Sequence, residues 1–148
     1  MKEKKLKNIF TNGAISAQFI AESIQKHQSN TAIGAHSIFL GQVRADQIGE
    51  EKVVGINYTA YEEMALAQMD SIREAVFEKY PLTCLHVHHS LGLVSAGEVC
   101  LFVFCSSAHR KAAMEACDEL VERIKAELPI WGKEILTNAS HRWKENKW

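Results

Sequence analysis

The stretch CSSAHRKAAMEACDELVERIKAELPIWGKE, residues 105–134, decides how the chain is to be read. It leaves an apolar strand at Cys105, runs through a long amphipathic helix, and closes in a Pro-Trp turn. Ala113, Cys117, Leu120, Ile124 and Leu128 recur at helical spacing and form a core stripe, which Pro129 ends. Polar side chains crowd the two ends, with His109 and Arg110 at the start and Lys125 and Lys133 at the finish. Just upstream, Val99 to Cys105 is apolar on both faces, the pattern of a central strand covered on both sides.

Outward from this stretch, Ser16 reads as the N-cap of a helix from Ala17 to His27 with Phe19, Ile20 and Ile24 inward. Ile33 to Arg44 reads as a buried strand, and the polar run Ala45 to Lys52 as an exposed loop. Val53 to Tyr61 alternates so that Val54, Ile56, Tyr58 and Ala60 share a face. Ala65, Met69, Ile72, Val76 and Tyr80 mark a second helix, Glu62 to Tyr80, with glutamates in its first turn and Pro81 at its stop. Leu85, Val87, His89 and Leu91 alternate as a further strand, and Gly92 to Gly97 reads as the turn after it. Glu134 to Leu136 adds a short edge strand before a polar tail, Asn138 to Trp148. The order predicts an α+β sandwich, helices packed on a mostly antiparallel sheet, in a single domain spanning residues 1–148. Residues 1–14 and 138–148 are expected to be peripheral or flexible.

A chain of 148 residues buries a continuous core without staples. Its 47% apolar and 24% charged residues are ordinary globular values. No apolar run reaches the roughly 18–20 residues of a membrane span, and the basic N-terminus lacks a signal core, so a cytoplasmic protein is expected. A net charge of −1 argues against nucleic acid as a partner. The four cysteines lie in apolar patterns without CxxC spacing, which predicts free, buried thiols.

Ser106-Ser107, followed by His109 and Arg110 at a helix start, would make an anion site; a capped helix with a surface arginine is the plainer reading. Lys125 sits on the edge of the apolar stripe, where lost hydration suits a nucleophile or proton carrier. Taken alone, such a lysine usually just snorkels to water. His109 and Lys125 are 16 residues apart, about 24 Å and about 160° around one helix. Either they serve different sites or, as we favour, a symmetric dimer brings one helix start to the other helix end. Cys84, His86 and His88 share a strand face, but three alternate positions lie along a line, so no metal is expected. GxSxG, P-loop and GxGxxG patterns are absent.

Several segments resemble one known family. Gly34-Ala, Phe39-Leu-Gly-Gln-Val-Arg44, Tyr58, Tyr61-Glu62, Met64-Ala65 and Gly92…Gly97-Glu98 look like its framework. Ser107-Ala-His-Arg110 and Lys125…Leu128-Pro-Ile-Trp131…Lys133-Glu134 look like its active site. The family is the large, catalytic subunit of molybdopterin synthase, and the resemblance covers about Ile33 to Trp143.

The resemblance implies an α/β hammerhead fold and a sulfurtransferase of molybdenum cofactor biosynthesis. Its substrate would be cyclic pyranopterin monophosphate. Sulfur would come from the C-terminal Gly-Gly thiocarboxylate of a small ubiquitin-like subunit, with a homodimer at the centre of a 2:2 heterotetramer and no cofactor. It also implies that Gln42, Val43, Arg44, His109, Arg110, Lys125, Gly132, Lys133 and Glu134 bind substrate, with Lys125 and Lys133 catalytic. The family commonly has a second lysine where this chain has Gly132. Either Lys133 takes over that role or the second cation comes from elsewhere. Ser90 departs too, standing where an arginine is common. A non-catalytic dimeric module gripping a ubiquitin-like tail is the alternative function, and an unrelated phosphate-binding α+β domain a third.

Overall fold

A computed structural model describes residues 5–145. In chain order its elements are β1 (Phe10–Asn12), α1 (Ala17–His27), β2 (Ala35–Gln42), β3 (Gln47–Ile48), β4 (Glu51–Ala60), α2 (Glu62–Lys79), β5 (Cys84–Ser95), β6 (Val99–Ser107), α3 (Arg110–Glu127), β7 (Ile130–Leu136) and β8 (His141–Trp143). The architecture is the expected α+β class, helices on a mostly antiparallel sheet. Strands run in the order β2-β6-β5-β4-β7-β8, with β1 added in parallel beside β5 and β3 beside β4.

Strand β6 explains the layering. Its side chains alternate between two faces. Leu101, Val103 and Cys105 join the main core with Met69, Ile72 and Val76 of α2 and Leu120 and Ile124 of α3. Phe102 and Phe104 point the other way and form a smaller cluster with Ile15, covered by Ile20 and Ile24 of α1. The sheet is therefore sandwiched, with α1 on one face and α2 and α3 on the other. Among the described residues no helix is long and apolar enough to cross a membrane.

Helix limits follow local chemistry. Ser16 Oγ accepts the Phe19 N–H at 3.1 Å and caps α1 as expected. Ser106 and Ser107, by contrast, end β6, both buried, and neither is the α3 cap, which falls at His109. His109 occupies the cap position without a side-chain bond, and Ser107 Oγ–H donates to its carbonyl.

Several strands depart from the sequence reading. Strand β2 is an edge with alternate half-buried residues, not a buried strand, so Ile38 and Leu40 are exposed. Val54 is exposed because the pairing of β4 with β7 shifts register between Val53 and Gly55, which turns it away from Ile56 and Tyr58. The polar 45–52 run holds the hairpin of β3 and β4. Strand β5 runs on to Ser95, so of the expected 92–97 turn only its last residues, 96–97, turn the chain into β6. Its first half pairs with β6 and its second half, from Gly92 (φ +81°), pairs with β4.

Both ends of the chain are also more ordered than expected. Strand β7 is a seven-residue interior strand that begins at Ile130, so the Pro-Trp turn is only the passage from α3 into β7. Within the segment read as tail, His141–Trp143 return as β8 along β7, and the Lys144 N–H donates to the Gly132 carbonyl at 2.8 Å. Near the start, Ile9 and Ile15 are buried and β1 pairs with β5, so residues 9–15 are part of the core rather than peripheral. Residues 1–4 and 146–148, the outer parts of the two segments expected to be flexible, lie outside the described residues.

Ile9→Ala should destabilise the protein by about 2–5 kcal/mol in urea denaturation, the cost of emptying a buried isoleucine site. A change below about 0.5 kcal/mol, typical of a surface position, would contradict this placement.

Candidate active site

Lys125 lies in the last turn of α3, where the helix runs into β7. Two adjoining hollows meet at its side chain. The smaller, about 300 Å³, is walled by Tyr58, His89, Lys125, Trp131, Gly132 and Lys144 among others. The larger, about 410 Å³, is lined by Gln42, Arg44, Cys100, Lys125, Glu134 and Lys144 among others. Lys125 and Lys144 are common to both.

Burial strips water from the Lys125 ammonium, and the nearby charge of Lys144 repels it; together they outweigh the opposing pull of Cys100 and hold its pKa below the ordinary lysine value. A lysine so placed gives up its proton more readily than an exposed one, which is what a proton carrier needs. His89 is buried, and its pKa is pushed down to about 4, chiefly by desolvation, with Lys125 and Lys144 adding to the effect. Its Nδ1–H donates to the Ser90 carbonyl at 2.8 Å, so Nε2 is the acceptor nitrogen. Ser90 itself is fully buried. Tyr58 Oη–H donates to Cys100 Sγ, and the Cys100 thiol to the Gly41 carbonyl, each at 3.4 Å. Desolvation first, then Cys100 and Glu134, raise the Tyr58 pKa, so this wall stays neutral.

The residues singled out from sequence divide by strand parity. Gln42, Arg44, Lys125, Gly132 and Glu134 line the two hollows. Arg44 is largely exposed and meets Asp46 at 3.2 Å. Glu134 is buried and accepts Arg142 Nε–H at 3.1 Å. Val43 points into the core, and both its backbone polar groups are taken by Glu98 and Gly97. Lys133 follows Gly132 and so faces the other side of β7. Its Nζ rests 5.0 Å from the centroid of the Trp143 ring.

Gly132 has no room for a side chain. A Cβ there would sit 2.8 Å from Ile56 Cγ2 and 3.2 Å from Tyr58 Cε1. The second cation beside Lys125 is Lys144, which sequence reasoning missed because it lies in a polar segment read as tail. Its only sequence signal was a basic residue next to Trp143.

His109 and Arg110 line a separate, open hollow with Gly34, Ala108, Lys111 and Met114. A Gly34 Cβ would fall 2.1 Å from the Ala108 carbonyl oxygen, so this close approach requires glycine. The hollow shares no lining residue with the two at Lys125. The 18 residues of α3 separate the two regions by about 27 Å within one chain.

Fold and site together define an α+β domain with a partly dehydrated lysine in a cation-bearing cleft at the end of a helix. The MoaE protein family matches residues 13–127, and the chain belongs to it. The molybdopterin synthase catalytic subunit of Bos taurus is 35% identical over 147 residues, spanning 98% of this chain and 75% of that protein. The catalytic subunit from Pyrococcus abyssi is 35% identical over 117 residues, 79% of this chain and 78% of that one. Among solved structures, molybdopterin synthase from Staphylococcus aureus superposes with a TM-score of 0.80 at 29% identity, covering 96% of this chain and 100% of that chain. A complex of subunits 1 and 2 of molybdopterin-converting factor from Helicobacter pylori shares the fold, with a TM-score of 0.78 at 21% identity over 93% and 90% of the two chains.

The buried histidine sets a pH dependence. The pKa of His89 is lower in the folded chain than the ordinary 6.5, so its stabilising effect is full above pH 6.5 and is lost as pH falls toward about 4. Denaturation midpoints should therefore drop across that window, and His89→Gln should flatten the drop. An unchanged slope in the variant would contradict the assignment.

Proposed function

We propose that the chain is the catalytic subunit of a molybdopterin synthase, a sulfurtransferase acting on cyclic pyranopterin monophosphate in the cytoplasm. The observation that carries this reading is Lys125, half-dry at the junction of two hollows and flanked by a second cation, in a chain of the MoaE family. A thiocarboxylate is an anion that needs a cationic, water-poor place to react, and this cleft supplies one without a metal ion.

The smaller hollow suits the C-terminal Gly-Gly of a ubiquitin-like carrier. Such a tail has no side chains, and Gly132, packed against Ile56 and Tyr58, adds none to the wall it would run along. An exposed apolar surface of Ala60, Tyr61, Met64, Pro129 and Trp131 adjoins the hollow through Trp131 and offers a seat for the carrier's body. In the larger hollow, Arg44 is placed for the substrate phosphate and Gln42 for its polar edge.

Each transfer forms a C–S bond as a C–O bond at the same substrate carbon breaks and its oxygen leaves, and water then cleaves the acyl C–S bond of the resulting thioester, returning the tail as a carboxylate and leaving the sulfur on the substrate. A dithiolene therefore consumes two carriers. Lys125 either carries a proton or stabilises the charge that develops on the acyl carbon's oxygen. His109 and Arg110 belong to the site through a second copy of the chain, because their own helix keeps them too far from Lys125. A homodimer flanked by two carriers follows from that arrangement.

Mixing the protein with a thiocarboxylated small subunit and cyclic pyranopterin monophosphate should yield molybdopterin. Carrier binding without any product would sink the enzyme reading and favour a non-catalytic module that grips the tail.

Lys125→Ala should abolish turnover while leaving the dimer intact. Lys144→Ala should lower turnover by roughly a hundredfold or more, the lower edge of what one proton-handling group contributes. Lys133→Ala should change it less than twofold, since that side chain faces away. A large loss in Lys133→Ala with Lys144→Ala near normal would reverse the assignment of the second cation.

A further inference from the structure

A second cluster of chemically capable side chains lies on the opposite sheet face, beneath α1, and the sulfur-transfer reading gives it no role. His27 closes α1, and Cys84 and His86 occupy alternate positions at the start of β5. One ligand atom from each, the Cys84 sulfur and a ring nitrogen from each histidine, lies within 4.8 Å of the others. His27 Nε2 and His86 Nε2 are 3.0 Å apart. Alternate residues of one strand cannot surround an ion alone, which is why sequence argues against a metal here. The fold supplies what the strand lacks, because His27 arrives from a different element and turns a line into a triangle.

Two further features suit a cation. His27 Nδ1–H donates to the Ser23 carbonyl at 2.7 Å, which fixes the ring and turns the Nε2 lone pair toward His86. The C-terminal end of α1, where unpaired carbonyls favour positive charge, lies at the cluster. Lys7 and Arg73 bring positive charge near His86. Those same positive neighbours disfavour a bare cation, so a negatively charged ligand must be present. Cys84, as a thiolate, is the one available. All three side chains are only half-buried, which leaves an ion access.

We propose that His27, Cys84 and His86 form a binding site for a thiophilic divalent cation of the Zn²⁺ type, which fastens the end of α1 to the sheet. Binding releases the Cys84 thiol proton to solvent and moves the His86 ring proton from Nε2 to Nδ1. Without metal, His86 Nε2–H donates to His27 Nε2. Closing around an ion at about 2.0–2.1 Å from nitrogen and 2.3 Å from sulfur needs only side-chain adjustment. Water or His36 completes a tetrahedron, the His36 ring centroid lying 6.3 Å from that of His27. Helix α1 contributes no fully buried residue, so such a clamp would matter most there.

The test uses the full chain stripped by chelator and titrated with Co²⁺ as a spectroscopic probe, then with competing Zn²⁺. A cobalt–thiolate charge-transfer band, displaced by Zn²⁺ and absent in Cys84→Ser, is the expected result. His27→Gln should weaken Zn²⁺ binding by about tenfold or more. Zn²⁺ should also raise the melting temperature of the native chain but not that of Cys84→Ser, with circular dichroism checking that each variant folds. No charge-transfer band, or a band that survives in Cys84→Ser, would overturn the site and leave a plain imidazole–imidazole hydrogen bond packed on Phe104.

Discussion

A strand that is apolar on both faces from Val99 to Cys105 must be covered twice, and β6 imposes that requirement on everything around it. Phe102 and Phe104 need one lid and Leu101, Val103 and Cys105 need another. At roughly 25 cal/mol per Å² of apolar surface removed from water, neither face can be left wet. Helix α3 answers the demand on one side by laying Ala113, Cys117, Leu120 and Ile124 inward. Its ends are then fixed in space, one beside Gly34 and the other beside β7. Lys125 owes its half-dry position to a packing problem solved elsewhere on its own helix.

The second constraint is the two-residue period of β7. Gly132 and Glu134 line the cleft while the side chain of Lys133 lies over the Trp143 ring at the rim of the smaller hollow. The contacts of Gly132 with Ile56 and Tyr58 show that the position has settled on having no side chain. Positive charge enters the cleft across the sheet instead, on the strand that follows. Neighbouring positions in sequence were poor guides here, and neighbouring strands were good ones.

What was legible in the sequence was whatever left a local signature. Ser16, Pro81 and Pro129 punctuate helices, and the α2 and α3 stripes name their buried residues almost without error. Arg44, Gln42 and Lys125 could be placed in one site only through family resemblance, because nothing local ties β2 to the end of α3. The register shift at Val53 and Gly55 left no mark, since an apolar residue reads alike whether a bulge turns it in or out. Ile38 and Leu40 look like core until β2 proves to be an edge. Strand β8 was illegible for the opposite reason: His141, Arg142 and Trp143 are all exposed, and an exposed strand has no hydrophobic rhythm to read.

That last strand has a consequence of its own. Three cross-strand pairs, a further backbone bond, the Arg142–Glu134 ion pair and the Lys133–Trp143 contact hold β8 and Lys144 against β7, and no side chain of β8 is itself buried. Segments attached this way open at a free-energy cost well below that of global unfolding. Burial by the core is the larger cause of the lowered Lys125 pKa, and the repulsion from Lys144 that adds to it comes from this hairpin. Ordering that hairpin raises the positive field, and releasing it lowers the field without disturbing the helix that carries the lysine.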